Sequence, residues 1–599
     1  MHQQQKYWVL VSTRVLFCQL EATNVSHSVL SYQFPCRRPS LLHGHFNQRH
    51  YPKQPENSTA VGQLAHNFQE LKTPDALEGG ALRSGGGPPN IYSRETIGIL
   101  IQYGALGVIN GTIYGLVYPF LNNYLRMSGT ATASAKVLVR IPWSFRMFFG
   151  ILSDCVPIWG YRRRPYMVFG WIFATICLVL MVIFPTGDPY YGDPDLAYVA
   201  AANLTSDQIA LINEDAPETG TKFILLMIFA NLGMTMAIAA SDGVVIEFAQ
   251  REPAEIRGSA LTMMQVFKQA MSILSSAMVG FGLNGKDFGG SFSGSMGVNA
   301  ISAVCAGAAL IASASSWFFV AENKGPAKSF RDYMRLLFDL LQHRVVYQLI
   351  AFRFFYFVFS LMSVTAVSPI ESLWAKVEPV NDAISSILAA FISAVSLYVI
   401  KRYGLTWNWR TIIVITQLSV VFVDCFPTFF TIWDVYRSQW MWLGPPLLEE
   451  VPGTISKIVS QYATIEIVEG GNEAAVFGLI TTCQTIASPF ATVIYKNIDA
   501  HFDTGKTYLQ VDDNYVRNQV TYCYLIAYAF QICSIAWVFL LPRQKAETLE
   551  LKRTGGTSKL AGIITIVVFT FCFVWAIMTN LMTIFPSTSC LTIAGGTGC

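Results

Sequence analysis

The chain has 599 residues, 52% of them hydrophobic and only 13% charged, with a mean hydropathy of +0.40. A soluble chain of this length would carry about twice that share of charge, so an ordinary globular enzyme is excluded and a membrane protein is described. Its 41 basic and 38 acidic residues leave a net charge of +3, too even a balance for a nucleic-acid binder.

Residues 1–95 hold six of the eight His residues, many Gln, Asn and Ser, and the stretch Gly85-Gly86-Gly87-Pro88-Pro89. They read as a disordered cytoplasmic tail. The apolar run Tyr7 to Leu20 is interrupted by Arg14 and lacks a small-residue cleavage site, so it is read with the tail and not as a leader.

A helix needs about 20 mostly apolar residues to cross a bilayer. Thirteen such stretches follow the tail, at 97–121, 133–155, 165–185, 221–241, 258–282, 298–320, 345–366, 383–400, 411–433, 439–461, 475–495, 519–541 and 560–585. The second and tenth carry charges within them. Between the sixth and seventh, Phe330, Tyr333, Met334, Leu337, Leu340 and Leu341 share one helical face while Lys328, Arg331, Arg335 and Asp339 lie off it. This pattern predicts an amphipathic helix on the inner leaflet, within a linker at 321–344 that tethers two six-span halves at 96–320 and 345–541. Residues 542–599 supply a cytoplasmic loop, the thirteenth span and an outer tail.

Orientation follows from basic residues in short loops. Arg83 and Arg94, Arg162 to Arg164, Lys324 to Arg344, Lys401 to Arg410 and Arg543 to Lys559 all fall on one side, expected to be cytoplasmic. The longest loop on the other side, 186–220, carries seven acidic residues, no Lys or Arg, and the sequon Asn203-Leu204-Thr205, a glycosylation acceptor. Twelve cysteines are scattered from Cys18 to Cys599 without a C-x-x-C pair. They suggest no metal site and no disulfide framework, although Cys590 and Cys599 could pair if their tail meets an oxidising compartment.

The halves repeat. Ser241, Glu247 and Gln265 recur as Ser460, Glu466 and Gln484, each 219 residues later, and internal repeats of this kind build many secondary transporters. In the second copy Gln461 stands where the first has Asp242, so coupling roles do not transfer between them.

The strongest local motif runs from Gly150 through Asp154 to Arg162-Arg163-Arg164. A small residue lets helices approach, and an acid beside a run of arginines can latch and release as two bundles rock. This loop resembles the signature of the major facilitator superfamily. With Pro142-Trp143-Ser-Phe-Arg146 before it, Gly160 to Tyr166 after it, and Ala240-Ser241-Asp242 to Glu247 with Arg257-Gly258 and Gln265 further on, the chain resembles the folate-biopterin transporter family over roughly 95–541. The resemblance implies a carrier of folates, pterins or related anions by proton-linked transport or exchange; with the span count and the repeat it gives a major facilitator fold of two six-helix bundles, to which the thirteenth span, outside the resemblance, adds an extra C-terminal transmembrane helix.

Charges inside a bilayer cost about 2.5–3.5 kcal/mol each at mid-helix and so need a reason. At about 1.5 Å per residue, Arg146 lies roughly 12 Å and Arg140 roughly 21 Å from Asp154. With Arg353 and Lys268 they form a set of candidate anion-binding cations, Arg146 and Arg353 foremost, because guanidinium groups match carboxylates in bidentate geometry. Trp143, Tyr114, Tyr118, Phe354, Phe355 and Tyr356 are the candidate rings for stacking a pterin. Asp242, Glu449 and Glu450 are the candidate proton carriers, since the spans hold no His and a buried carboxylate is protonated more readily. No catalytic nucleophile, phosphate loop or cofactor motif stands out, so an enzyme is not expected. The expected partners are an anionic small molecule, protons and the lipid bilayer, with no nucleic acid and a monomeric state. The plasma membrane is preferred over an organelle. A carrier of another solute such as a sugar, or a non-transporting receptor on the same fold, are the alternatives.

Overall fold

Helices form where the apolar runs fall. The computed structural model describes residues 81–83, 87–90, 92–127, 129–194, 196, 205–324, 329–582, 588 and 591. Asn203, Lys328, Cys590 and Cys599 lie outside the described residues. In chain order the helices are α1 (Arg94–Leu116, continued by a π turn Val117–Tyr124), α2 in two pieces (Gly129–Leu138 and Arg146–Cys155), α3 (Arg164–Ile183), α4 (Ala216–Gln250), α5 (Ser259–Gly282) and α6 (Gly297–Phe318). They continue with α7 (Arg344–Ser360), α8 (Pro379–Val399, continued by a π turn Ile400–Gly404), α9 (Trp409–Ile432), α10 (Pro446–Ile467), α11 (Glu473–Asp499), α12 (Asn514–Cys533) and α13 (Lys559–Met582).

Local chemistry sets their ends. The side chains of Ser93, Asn408 and Asp513 accept backbone N–H groups in the first turns of α1, α9 and α12, and such caps satisfy donors that have no partner within the helix. Two helix starts are capped from a distance. Glu322 accepts the N–H groups of Arg162, Arg163 and Arg164 ahead of α3, and Glu252 accepts those of Gly258, Ser259 and Ala260 ahead of α5. Pro142 sits in the 3-10 turn Ile141–Phe145 that divides α2, because proline cannot donate into a helical ladder.

Within the first six helices α3 packs on α4 and α6, and α1 on α5 and α6; within the next six α7 packs on α11 and α12, and α10 on α8 and α9. The two sets meet along α5 and α8, and where α2 and α4 touch α10 or α11. The thirteenth helix bridges them. Trp575 stacks on Phe490 of α11 at 3.9 Å between centroids, and Phe573 meets Phe145 and Phe148 beside α2 at 5.6 and 5.1 Å.

Nine helices among the described residues are long and apolar enough to cross a membrane: α1, α3, α4, α6, α8, α9, α11, α12 and α13. The four that fall short, α2, α5, α7 and α10, carry Arg146, Lys268, Arg353 and Lys457. α2 is broken into two ten-residue pieces and α7 has 17 residues, whereas α5 and α10 are long enough but too polar.

The amphipathic helix forms at Phe330–Leu341 but is largely covered by protein. Tyr333, Leu337, Leu340 and Leu341 are buried, the helix packs on α7 and α13, and only Phe330 and Met334 of its apolar face are exposed. Residues 81–83, assigned from sequence to a tail, are placed against α4, with the N–H groups of Leu82 and Arg83 donating to the Gln250 carbonyl at 3.0 and 3.1 Å.

Candidate functional site

The central charges fall into one neutralised pair and a cationic remainder. Arg146, the first residue after the break in α2, donates to Asp242 of α4, and the Tyr103 hydroxyl of α1 donates to the same carboxylate at 2.5 Å. The sequence placed Asp242 at the end of its span. In the structure α4 runs on to Gln250, so Asp242 is two turns inside the helix and 1% exposed. Arg146 also lies over the rings of Trp143, at 5.7 Å, and Phe477 of α11, at 5.4 Å, which ties it to both sets of helices.

Arg353 has no such acid. It is fully buried in α7, donating to the Ser460 hydroxyl and, at 2.7 Å, to Gln484 Oε1, with its guanidinium 5.0 Å from the Phe357 ring. These two acceptors are repeat residues. Their counterpart Ser241 donates to Gln102 Oε1 at 2.5 Å, which also accepts from Trp171 at 3.3 Å. Gln102 thus holds in α1 the place that Arg353 holds in α7, an amide against a cation, and Gln265 takes no part in the first set.

Lys268 of α5 feels the positive charges of Arg146 and Lys457 and the negative charge of Asp242. Geometry explains why Lys457 reaches it. The Thr262 and Tyr462 hydroxyls join α5 to α10 at 2.7 Å, and from that contact the oppositely running helices carry Lys268 about 9 Å and Lys457 about 7.5 Å the same way. Among the described residues neither lysine, nor Arg353, is in an ion pair. Lys457 and Gln102 were missed from sequence, since nothing in a linear reading says which polar residue of a span faces its opposite number.

The other named residues lie apart. Arg140 is exposed on the far side of the Ile141–Phe145 turn, 5.1 Å from the Tyr114 ring. Glu450 accepts from Ser393 of α8 at 2.8 Å. Glu449 faces the charge of Asp424, itself bonded by Tyr528 at 2.8 Å. These three acids sit beyond the cationic centre, with the Glu450 contact joining α10 to α8.

At the end that carries Arg162 to Arg164, Arg410 and Arg543, here the basic end, a second set of residues clasps the helices. A Cβ on Gly150 would lie 2.5 Å from the Ala474 carbonyl oxygen, so only glycine lets α2 and α11 approach this closely. Asp154 accepts the Ala475 N–H at 2.9 Å and the Tyr333 hydroxyl at 3.4 Å. Of the three arginines only Arg163 enters the latch, pairing with Glu473 at 2.6 Å, Glu247 at 2.8 Å and Asp154 at 3.8 Å. Burial pulls its guanidinium down, but Glu247, Glu473 and Asp154 outweigh that and hold it above its usual range. Arg162 contributes a backbone N–H, and Arg164 turns to the Trp317 carbonyl and the Tyr161 ring.

A second clasp stands beside it. Arg257, in the loop before α5, holds Glu466 of α10 through bonds of 2.7 and 3.0 Å, both side chains almost wholly buried. Gly258 next to it has φ +100 and lies against the Tyr462 ring, where a Cβ would stand 3.0 Å away; a left-handed residue in so little space suits glycine alone. Burial pushes the Glu252 carboxyl up to about 7 and pulls Lys545, which donates to the Ala254 carbonyl at 2.8 Å, down to about 8. The sequence named Glu247 and Glu466 as repeat residues but gave neither its partner, and it missed Glu473, Glu322 and Glu252.

This geometry has known counterparts. A solved D-xylose-proton symporter superposes with a TM-score of 0.52 at 14% identity, covering 78% of this chain and 99% of that one. A double-tryptophan mutant of the transporter XylE gives 0.51 at 14%, covering 77% and 97%. The fold is therefore that of the major facilitator transporters, an all-helical polytopic membrane protein. Residues 106–216 match the profile of the BT1 family. The folate-biopterin transporter of Synechocystis sp. is 27% identical over 163 residues, 27% of this chain and 26% of that protein. Probable folate-biopterin transporter 4 of Arabidopsis thaliana is 24% identical over 160 residues, with the same shares. Folate transporter 1 of Plasmodium falciparum is 32% identical over 69 residues, 11% of this chain and 14% of that one. Over these stretches the chain is similar to the BT1 family and to the folate-biopterin transporters. Its match spans about a quarter of the length of the first two; the family profile takes in the Pro142 to Tyr166 motif and stops short of Ala240 to Gln265.

Proposed function

We propose that the protein is a secondary carrier which moves a folate- or pterin-like organic anion across the membrane by alternating access, and that it is not an enzyme. The observation that carries this reading is the surplus of positive charge at the centre, where among the described residues Arg353, Lys268 and Lys457 are in no ion pair while Arg146 is paired with Asp242. Arg353 is fully buried, and a buried cation without a paired acid is costly; an anion bound between the two sets of helices supplies the missing charge, with the half-buried Lys268 and the exposed Lys457 beside it. The carboxylates of a folate would suit the forked guanidinium of Arg353, and Trp143 and Phe477 lie beside Arg146 where a flat ring could stack.

The basic end faces the cytoplasm in this reading, and the clasps of Arg163 and Arg257 hold that end shut. Asp242 is the candidate for proton coupling, because protonating it would free Arg146, and Glu449 and Glu450 are secondary candidates. The protein acts as a monomer in the plasma membrane.

The test is uptake of radiolabelled folate and of biopterin into cells that display the protein, at acidic and neutral outer pH. Arg353→Gln should abolish saturable uptake with surface display unchanged, and Arg140→Gln should retain it. Lack of wild-type uptake of both compounds would reject the substrate class, and normal uptake by Arg353→Gln would reject the site.

A further inference from the structure

A cavity of about 330 Å³ opens at the basic end of the seam between α5 and α8. Glu255 in the loop before α5 and Ser259 at its start line one wall, and Tyr398, Lys401, Arg402 and Tyr403 at the end of α8 line the other. The π turn Ile400–Gly404 carries Lys401, Arg402 and Tyr403, and π turns inside helices recur at functional positions. Lys401 is partly buried, its Nζ 3.6 Å from the Met263 sulfur, and among the described residues neither it nor Arg402 is in an ion pair. Tyr398 and Tyr403 are exposed. A cation that served only to anchor the helix would extend into water; Lys401 instead lines the cavity partly buried, with its Nζ against the Met263 sulfur.

We infer that this cavity is a phospholipid site, and that its charges select a headgroup with a phosphate, a carboxylate and an ammonium, as in phosphatidylserine. Basic pockets between helices at the cytoplasmic surface suit anionic headgroups, and exposed tyrosines suit the headgroup level of a bilayer. Lys401 and Arg402 provide one cation for each anionic group, and Glu255 on the facing wall provides the acid for the ammonium. A glycerol headgroup leaves Glu255 unmatched, and an ethanolamine headgroup leaves one cation unmatched. Because the walls come from both sets of helices, a bound lipid ties the basic end together next to the Arg257–Glu466 clasp. The site does not draw on the proposed substrate and stands or falls without it.

The experiment places the full chain in nanodiscs of phosphatidylcholine doped with phosphatidylserine, phosphatidylglycerol or phosphatidylethanolamine, and counts retained lipids by native mass spectrometry alongside the thermal midpoint. Wild-type protein should retain phosphatidylserine ahead of both others. At about one basic-residue contribution each, Lys401→Gln with Arg402→Gln should weaken retention on the order of 30-fold, with an unchanged midpoint in phosphatidylcholine alone as the folding check. Glu255→Gln should bring phosphatidylserine level with phosphatidylglycerol. Equal retention of all three lipids by the wild type would overturn the proposal without any variant, and full retention by the double variant would overturn the assignment to Lys401 and Arg402.

Discussion

Glu466→Gln isolates the clasp at the basic end. Glu466 and Arg257 have side-chain exposures of 1% and 0% and are joined by bonds of 2.7 and 3.0 Å. The substitution keeps the volume of the side chain and removes its charge, leaving the guanidinium buried beside the Glu252 carbonyl and the positive charge of Lys545. Removing one partner of a buried ion pair costs about 3–5 kcal/mol. That cost is borne only while the basic end is shut, since rocking apart gives Arg257 to water. At about 1.4 kcal/mol for each tenfold change, the balance between shut and open should move toward open by a factor of about a hundred to a few thousand.

Cys155 is a native reporter of that balance. It is 3% exposed and packed with Tyr333 and Ala475 where α2 meets α11. Modification by a membrane-impermeant maleimide applied to inside-out vesicles should be slow in the wild type and faster in Glu466→Gln, with Cys155→Ser giving the background from other thiols. Glu450→Gln, whose charge lies away from the clasp, should leave the rate unchanged. If Glu466→Gln protein is folded, inserted and labelled at the wild-type rate, the clasp does not control opening and the reasoning fails.

Gly150→Val should have a related effect by a steric route, because its Cβ would be 2.5 Å from the Ala474 oxygen; Cys155 should label faster and transport should fall at least tenfold. Glu252 gives a pH dependence. Its carboxyl is raised to about 7 by burial, so it favours folding in full below its unfolded value near 4.5 and loses that contribution as pH rises through 7, a change on the order of 3 kcal/mol. The wild-type thermal midpoint should therefore drop between pH 5 and 8, and a Glu252→Gln variant with the same slope would disprove the assignment. Trp575→Ala with Phe573→Ala should loosen α13 from α11 and α2, seen as faster proteolysis of the C-terminal segment with the first twelve helices intact.

The fold was legible because a bilayer makes each crossing helix an almost independent statement in sequence, about 20 apolar residues between polar loops. The latch was half legible. Gly150, Asp154 and the arginines announce themselves by position, yet Glu473 lies 310 residues from Arg163 and Glu466 lies 209 from Arg257, and no local rule pairs them. The repeat is a pattern in the sequence, but its meaning is tertiary: Ser460 and Gln484 matter because Arg353 donates to both, whereas in the first half Ser241 meets the uncharged Gln102, which an apolar run conceals. A further signal was present in the sequence. The four helices that fail to read as plain membrane spans among the described residues are the four that bring Arg146, Lys268, Arg353 and Lys457 to the centre. In α5 and α10, which are long enough to span but too polar, poor hydropathy is not noise: it marks helices whose lysines have somewhere to go. α2 and α7 fall short by length instead, and α1, α4 and α11 bring Tyr103, Asp242 and Gln484 to the same centre while reading as plain spans, because one polar residue in about twenty apolar ones leaves the mean almost untouched.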